Sequence, residues 1–319
     1  MSDERSYQRA LEALRRYAGK TVLDALADPM LCELMLNGDG KLWRERFGEP
    51  MQVIGEMDRW QAEAFMRQIA SCLNKEITFD TPQLDGELPL DGSRFSGVFP
   101  PVVAAPCFAI RKKASRVFLL TDYVHQGILS DPQYACICDA IASRKNILVV
   151  GGTGSGKTTL LNALIAEMIR QDENQRFFVI EDTGEIQCSA PNVVFFHTAA
   201  TVSMTHCLKQ ALRFRPDRIL VGEVRDHAAL DMLDAWNTGH EGGIATLHAN
   251  SARLALSRIR GLVSRNMYAP KAIEEVIGEA VHLIVFIKKT PKGRKVEELL
   301  SVSGYDQRTR EYLVQNEGI

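Results

Sequence analysis

The stretch ILVVGGTGSGKTTLLNAL, residues 147–164, decides the fold. Ile147 to Val150 are apolar and read as a short buried strand, while Leu160, Leu161, Leu164, Ile165, Met168 and Ile169 recur at helical spacing. The turn between them fits GxxxxGK(S/T) through Gly151, Gly156, Lys157 and Thr158, in the strand-before, helix-after context that the pattern requires. Glycines let successive backbone N–H groups curl round an anion, and the helix N-terminus adds its positive end. Gly151, Gly152, Thr153, Gly154, Ser155, Gly156, Lys157, Thr158 and Thr159 are therefore the expected nucleotide-binding residues. Lys157 would reach the β and γ phosphates of ATP, and Thr158 would place its hydroxyl on Mg2+.

Downstream of this loop the chain keeps alternating. Strands are expected at RFFVIED, VVFFHT, RILVGE, GIATLHA and HLIVFIKK, and helices near Met204–Arg213, over HAALDMLDAWNT, near Ser251–Val263 and over PKAIEEVIGEA. Such alternation predicts a mainly parallel sheet with helices on both faces. Upstream, helical periodicity covers Asp3–Ala18 and Arg59–Asn74, and KLWRER, MQVIGE, SRFSGVFP and CFAIRKK read as strands. The Pro- and Gly-rich segment Asp80–Pro106 should hold loops and edge strands. The expected organisation is an α/β chain: a smaller mixed α/β domain over 1–113, a connector over 114–140 leading into a helix, and the P-loop domain over 141–319.

Bulk properties narrow the function classes. A chain of 319 residues, 45% hydrophobic and 24% charged, suits two soluble globular domains. It contains no apolar run of about 18 residues, the length a membrane-spanning helix needs. The charged first thirty residues lack the apolar centre of a secretory signal, so a cytoplasmic location is expected. Seven scattered cysteines argue for reduced thiols, and Cys136 and Cys138 face different sides of a helix rather than a shared metal. The net charge of −2 offers nucleic acid no general attraction, so no stable nucleic-acid binding is expected. KKTPKGRK, Lys288–Lys295, reads as a solvated hairpin tip.

Hydrolysis of a γ phosphate needs a metal, an oriented water and positive charge on the transferring group. In RPDRILVGEVRD, Arg215–Asp226, Gly222 stands where many P-loop proteins carry an aspartate at the end of the strand. Glu223 then takes the metal-facing role. VIEDTGEIQ, Val179–Gln187, supplies Glu185 to polarise the water, with Glu181 and Asp182 shaping the site. TGHEGGIATLHANS carries His240 and His248, which lack a third zinc ligand and read either as sensors of the γ phosphate or as structural histidines. Arg213, Arg215 and Arg225 flank the Glu223 strand as surface cations or as the guanidinium that hydrolysis often takes from a neighbouring subunit.

In chain order, GGTGSGKTT, IEDTGEI, LRFRPDRILVGEVRD and TGHEGGIATLHA resemble the P-loop, acidic box, glycine-glutamate strand and histidine box of the traffic ATPases of type II and type IV secretion and pilus systems. The short chain, with its last cysteine at Cys207 and so no tetracysteine module after the histidine box, is most similar to the TrbB-type conjugal-transfer branch of type IV secretion. The resemblance implies a RecA-like P-loop domain, ATP and Mg2+ as cofactors, and a homohexameric ring. It also implies inner-membrane channel partners, with peripheral membrane association. It places nucleotide between the two domains and assigns Arg94 and Arg111 of the N-terminal domain to the phosphates. A nucleotide-gated scaffold, a pilus-retraction motor and a DNA motor are the alternative tasks.

Overall fold

The computed structural model describes residues 2–46, 49–112, 117–199, 201–290 and 293–317. It divides into two units, Met1–Ser115 and Arg116–Ile319. In the first, α1 (Ser2–Ala27) precedes β1 (Leu31–Leu36), β2 (Lys41–Arg46), β3 (Gln52–Glu56), α2 (Arg59–Cys72), β4 (Gln83–Glu87), β5 (Arg94–Val98) and β6 (Cys107–Arg111). The six strands form an antiparallel sheet in the order β3-β2-β1-β6-β5-β4. Leu34, Leu36, Phe95, Phe108 and Ile110 alternate onto the face that packs against Leu14, Val22, Phe65, Met66 and Ile69 of the two helices. The helix expected to stop at Ala18 breaks at Gly19, where φ is 72°, and then resumes to Ala27. Gln61 Nε2 donates to the Tyr17 carbonyl at 3.0 Å beside that kink.

The second unit runs α3 (Leu120–His125), α4 (Asp131–Ala142), β7 (Ile147–Gly151), α5 (Lys157–Gln171), β8 (Phe177–Glu181), β9 (Val193–His197), α6 (Met204–Ala211), β10 (Arg218–Val221), α7 (Ala228–Trp236), β11 (Ile244–His248), α8 (Ala252–Val263), α9 (Ile273–Ala280), β12 (Leu283–Thr290), β13 (Gly293–Asp306) and β14 (Glu311–Glu317). Its eight strands lie in the order β14-β13-β12-β7-β11-β10-β8-β9. Neighbours from β12 through to β9 pair in parallel, and β13 and β14 extend the sheet antiparallel. The two residues at the β12-β13 tip, 291 and 292, lie outside the described residues. No helix among the described residues is long and apolar enough to cross a membrane.

The mostly apolar β7 and β8 follow from burial on both faces. Leu148, Val150, Phe178 and Ile180 enter a core with α6, α7, α8 and α9. Ile147, Val149, Phe177 and Val179 enter the opposite core with α3, α4 and α5. Leu120, Tyr123, Ile137 and Ile141 belong to that second core, so α3 and α4, which cover much of the span read as a connector and run to Ala142, form part of this unit's helical layer. Ser130 caps α4 by accepting from Gln133 N, and the Gln133 side chain accepts from Ser130 N in return.

Buried Asn146 ties the amino end of β7 to two other segments. Its Oδ1 accepts from Gly242 N at 2.8 Å and Gly243 N at 2.9 Å, and its Nδ2 donates to Ala280 O at 2.8 Å. Asn146→Ala leaves these groups buried without a partner and is expected to cost about 3 kcal/mol. Urea denaturation should show a lower midpoint with an unchanged slope.

Candidate nucleotide site

Strand register assembles the site. β11 pairs with β7 so that His248 stands opposite Gly151. β10 pairs with β11 at Val221–Ala245 and with β8 at Val221–Ile180. Residues leaving the carboxyl ends of these four strands, namely the P-loop, His248, Glu223 and Asp182, therefore gather along one edge of the sheet, where open α/β sheets bind ligands.

The glycine turn has the geometry of an anion cradle. Gly154 and Gly156 have φ of 68° and 96°, which side-chain-bearing residues rarely adopt. A Cβ at Gly151 would collide with the Ile287 carbonyl and the Ser155 hydroxyl, and one at Gly156 would lie 2.9 Å from Arg294 Cδ. Lys157 opens α5 with only 8% of its surface exposed. Its Nζ donates to Gly152 O at 2.9 Å and meets His248 Nδ1 at 3.3 Å.

From Lys157 a chain of contacts crosses the site. His248 Nε2 lies 3.0 Å from Glu223 Oε1. Glu223 Oε2 accepts from Arg225 Nη2 at 2.6 Å, and Arg225 Nη1 reaches Asp182 Oδ2 at 3.3 Å. Asp182 Oδ1 accepts from the Thr198 hydroxyl at 2.8 Å. With Lys157 donating to Nδ1, His248 is the neutral tautomer that carries its proton on Nε2 and donates to Glu223. Burial, followed by the Lys157 charge, lowers the His248 pKa and favours that form. Burial alone would raise Glu223, but the hydrogen bond and charge of Arg225, with Lys157 beside it, outweigh burial and hold the carboxyl below the usual range.

The acidic loop is pinned from beneath. Glu181, 3% exposed, accepts from the backbone N–H groups of Glu185 at 2.8 Å and Ile186 at 3.0 Å. Asn162 on α5 donates to Glu185 O at 3.1 Å and accepts from Gln187 N at 3.0 Å. Gly222 is small for a steric reason: a Cβ there would stand 2.9 Å from Glu181 Cβ. The strand's carboxylate is thereby displaced to Glu223. Thr158 at the start of α5 and Glu223 suit a hard cation whose other ligands are phosphate and water oxygens. Among the described residues no group of three His, Cys, Asp or Glu could hold a metal by itself.

A cleft of about 400 Å³ abuts this chain, lined by Thr153, Glu223, Arg225, His248 and Arg258 with Val224 and Leu247. Three of the remaining sequence candidates lie elsewhere in this unit. Arg213 and Arg215 precede β10, and His240 precedes β11, so all three sit at the amino ends of parallel strands, across the sheet from the P-loop. Arg94 and Arg111 face each other in the β5-β6 ladder of the first unit, and Arg111 Nε bonds Glu33 Oε1 at 2.7 Å. Sequence reasoning did not single out Asn162, Thr198 or Arg258.

The family described as type II/IV secretion system protein matches residues 17–308. A probable conjugal transfer protein TrbB of Sinorhizobium fredii is 47% identical over 305 residues, 96% of this chain and 93% of that protein. A type IV secretion system protein PtlH homolog of Bordetella bronchiseptica is 31% identical, with 81% of this chain and 86% of that protein covered. Among solved structures, the VirB11 ATPase of the Brucella suis type IV secretion system is similar at a TM-score of 0.50 and 25% identity. That match covers 92% of this chain and 96% of the other.

The folded pKa values of His248 and Glu223 both lie below their ordinary 6.5 and 4.5. On acidification the unfolded chain binds these protons first, so their contribution to stability is present above those ordinary values and is lost as pH falls through the folded ones. Arg225→Gln removes the main influence holding Glu223 down. Because Arg225 is half exposed, the variant's urea midpoint should fall only slightly below that of the unsubstituted chain at pH 7, and the gap should close as pH falls through the folded Glu223 pKa.

Proposed function

The chain belongs to the type II/IV secretion system protein family, and from that premise we propose how its P-loop site works within a secretion machine. It is a nucleotide-binding ATPase of the type IV secretion and conjugal-transfer class. Our reading is that hydrolysis depends on Mg2+ and drives motion of the domains within a ring of identical subunits, six by resemblance. The ring would work on the cytoplasmic face of the inner membrane, beside the channel proteins it serves.

The observation that carries this reading is the unbroken chain Lys157–His248–Glu223–Arg225–Asp182, which links all four sequence motifs at contact distance. Lys157 neutralises the β and γ phosphates, and the loop N–H groups hold them. Thr158 and Glu223 would hold Mg2+, which would supply Lewis-acid withdrawal of charge from the phosphate oxygens. Glu185 polarises the attacking water from a loop whose backbone Asn162 and Glu181 hold still. His248 reports the state of the phosphates, because Lys157 shared with a γ phosphate is released from its nitrogen.

Arg225 acts within its own chain by orienting Glu223. Arg213, at the opposite edge of the sheet, can serve hydrolysis only from a neighbouring subunit, and His240 is assigned to the fold rather than to the nucleotide. Arg94 and Arg111 enter as phosphate ligands on the resemblance alone, and Arg94→Ala and Arg111→Ala test them by ATP affinity.

Phosphate release and molar mass, measured on the same samples with Mg2+ and ATP, test the proposal. Lys157→Ala should abolish turnover, whereas Glu185→Gln should keep ATP binding and lose about a hundredfold or more in kcat. An unsubstituted chain that assembles but hydrolyses no ATP would overturn the motor reading.

A further inference from the structure

The cleft beside the P-loop contains two arginines in different electrostatic states. Arg225 is engaged by Glu223 at 2.6 Å and by Asp182 at 3.3 Å. Arg258 lines the same cleft, yet among the described residues it makes no hydrogen bond or ion pair. Arg225 is thus offset by two carboxylates, whereas Arg258 brings to the cleft a positive charge that no ion pair among the described residues takes up. An anion entering the cleft would meet that charge.

The helix that carries Arg258 is firmly placed. Ser251 caps α8 by accepting from Leu254 N at 3.1 Å, and Glu298 on β13 accepts from Ala252 N at 2.8 Å. Ala255, Leu256, Ile259 and Leu262 are buried in the core. Helical side chains lean toward the N-terminus of their helix. The N-terminus of α8 follows the carboxyl end of β11 almost at once, with only Ala249 and Asn250 between His248 and the cap residue. Arg258 accordingly lines the cleft together with His248 and Thr153 of the phosphate loop, and its charge acts on His248.

We propose that Arg258 is the guanidinium that this chain directs from its own α8 onto the terminal phosphate of bound ATP. The assignment rests on the ATPase reading above and adds a ligand to it. The terminal phosphate is favoured over the inner ones because Arg258 shares its cleft with Glu223 and His248, and His248 in turn touches the lysine that reaches the β and γ phosphates. Arginine suits the task, since its planar fork can bond two phosphate oxygens at once and keeps its charge at any working pH.

The test compares ADP with a non-hydrolysable ATP analogue on the full chain, using the unsubstituted protein, Arg258→Ala, Arg258→Lys and Lys157→Ala. Titration calorimetry gives both affinities and phosphate release gives kcat, with a thermal melt of each variant alongside. Arg258→Ala should hold ADP within about twofold, bind the analogue about tenfold more weakly and lose about a hundredfold in kcat. Arg258→Lys should recover part of the analogue affinity, and Lys157→Ala should weaken both nucleotides. Equal weakening of ADP and analogue in Arg258→Ala, or no change in either affinity or kcat, would overturn the proposal while leaving the ATPase reading intact. If the unsubstituted chain bound neither nucleotide, both would fall.

Discussion

Parallel strands can end at different heights, and a site built from several strand ends exists only if they do not. In the second unit, register places Gly151 beside His248, and Val221 beside both Ala245 and Ile180. That alignment turns motifs far apart in sequence into neighbours. It depends on small features away from the chemistry: Asn146 fixing the start of β7, Gly222 allowing β10 to pass Glu181, and the Thr246 hydroxyl donating to Gly222 O at 2.6 Å. A slip of one residue would turn every side chain to the other face and dismantle both cores together.

The contacts that make the site are worth more as geometry than as stability. Arg225 and His248 are half exposed, and ion pairs so accessible to water contribute little net energy. What they supply is orientation. Glu223 is bonded at both oxygens, one to a neutral imidazole and the other to a guanidinium, so its rotamer and its charge are both settled. Glu181 does the same for the acidic loop through backbone N–H groups. The two glutamates are close in the fold and carry separate duties: one is committed to the chain's architecture, and the other faces the cleft.

Much of the second unit was legible because its elements have strong periods. The buried strands β7 and β8 are continuous apolar runs, and α5 to α9 show helical stripes. Less was legible where the signal was mixed. β1 has an acidic residue, Glu33, among leucines, and β4 is a short edge strand with Asp85 and Gly86, so neither stood out, although β1 is central to its sheet. β14 alternates too weakly to separate from a tail. Within the site, the P-loop and Glu223 could be read from pattern, whereas Arg258 could not. One arginine among several on an amphipathic helix acquires meaning only once register shows which strand end it faces. His240 and His248 belong to one sequence motif but to different ends of one strand. A five-residue parallel strand, β11, separates them, and its two ends necessarily open on opposite edges of the sheet.

The order of strands also gives the sheet unequal stiffness. β7 has parallel partners on both sides and is wholly buried, with the antiparallel β13 and β14 bracing its flank, so the phosphate loop springs from the part of the fold least able to yield. β9 is the outermost strand at the other end and only partly covered, and Thr198, the residue after it, holds Asp182. The two ends of the contact chain thus have different mechanical character, one an anchor and the other a lever. A load carried by the free edge would reach Glu223 through Asp182 and Arg225 before it disturbed the loop. Strain entering from outside the chain would therefore act first on the carboxylate side of the site and only later on the phosphate loop.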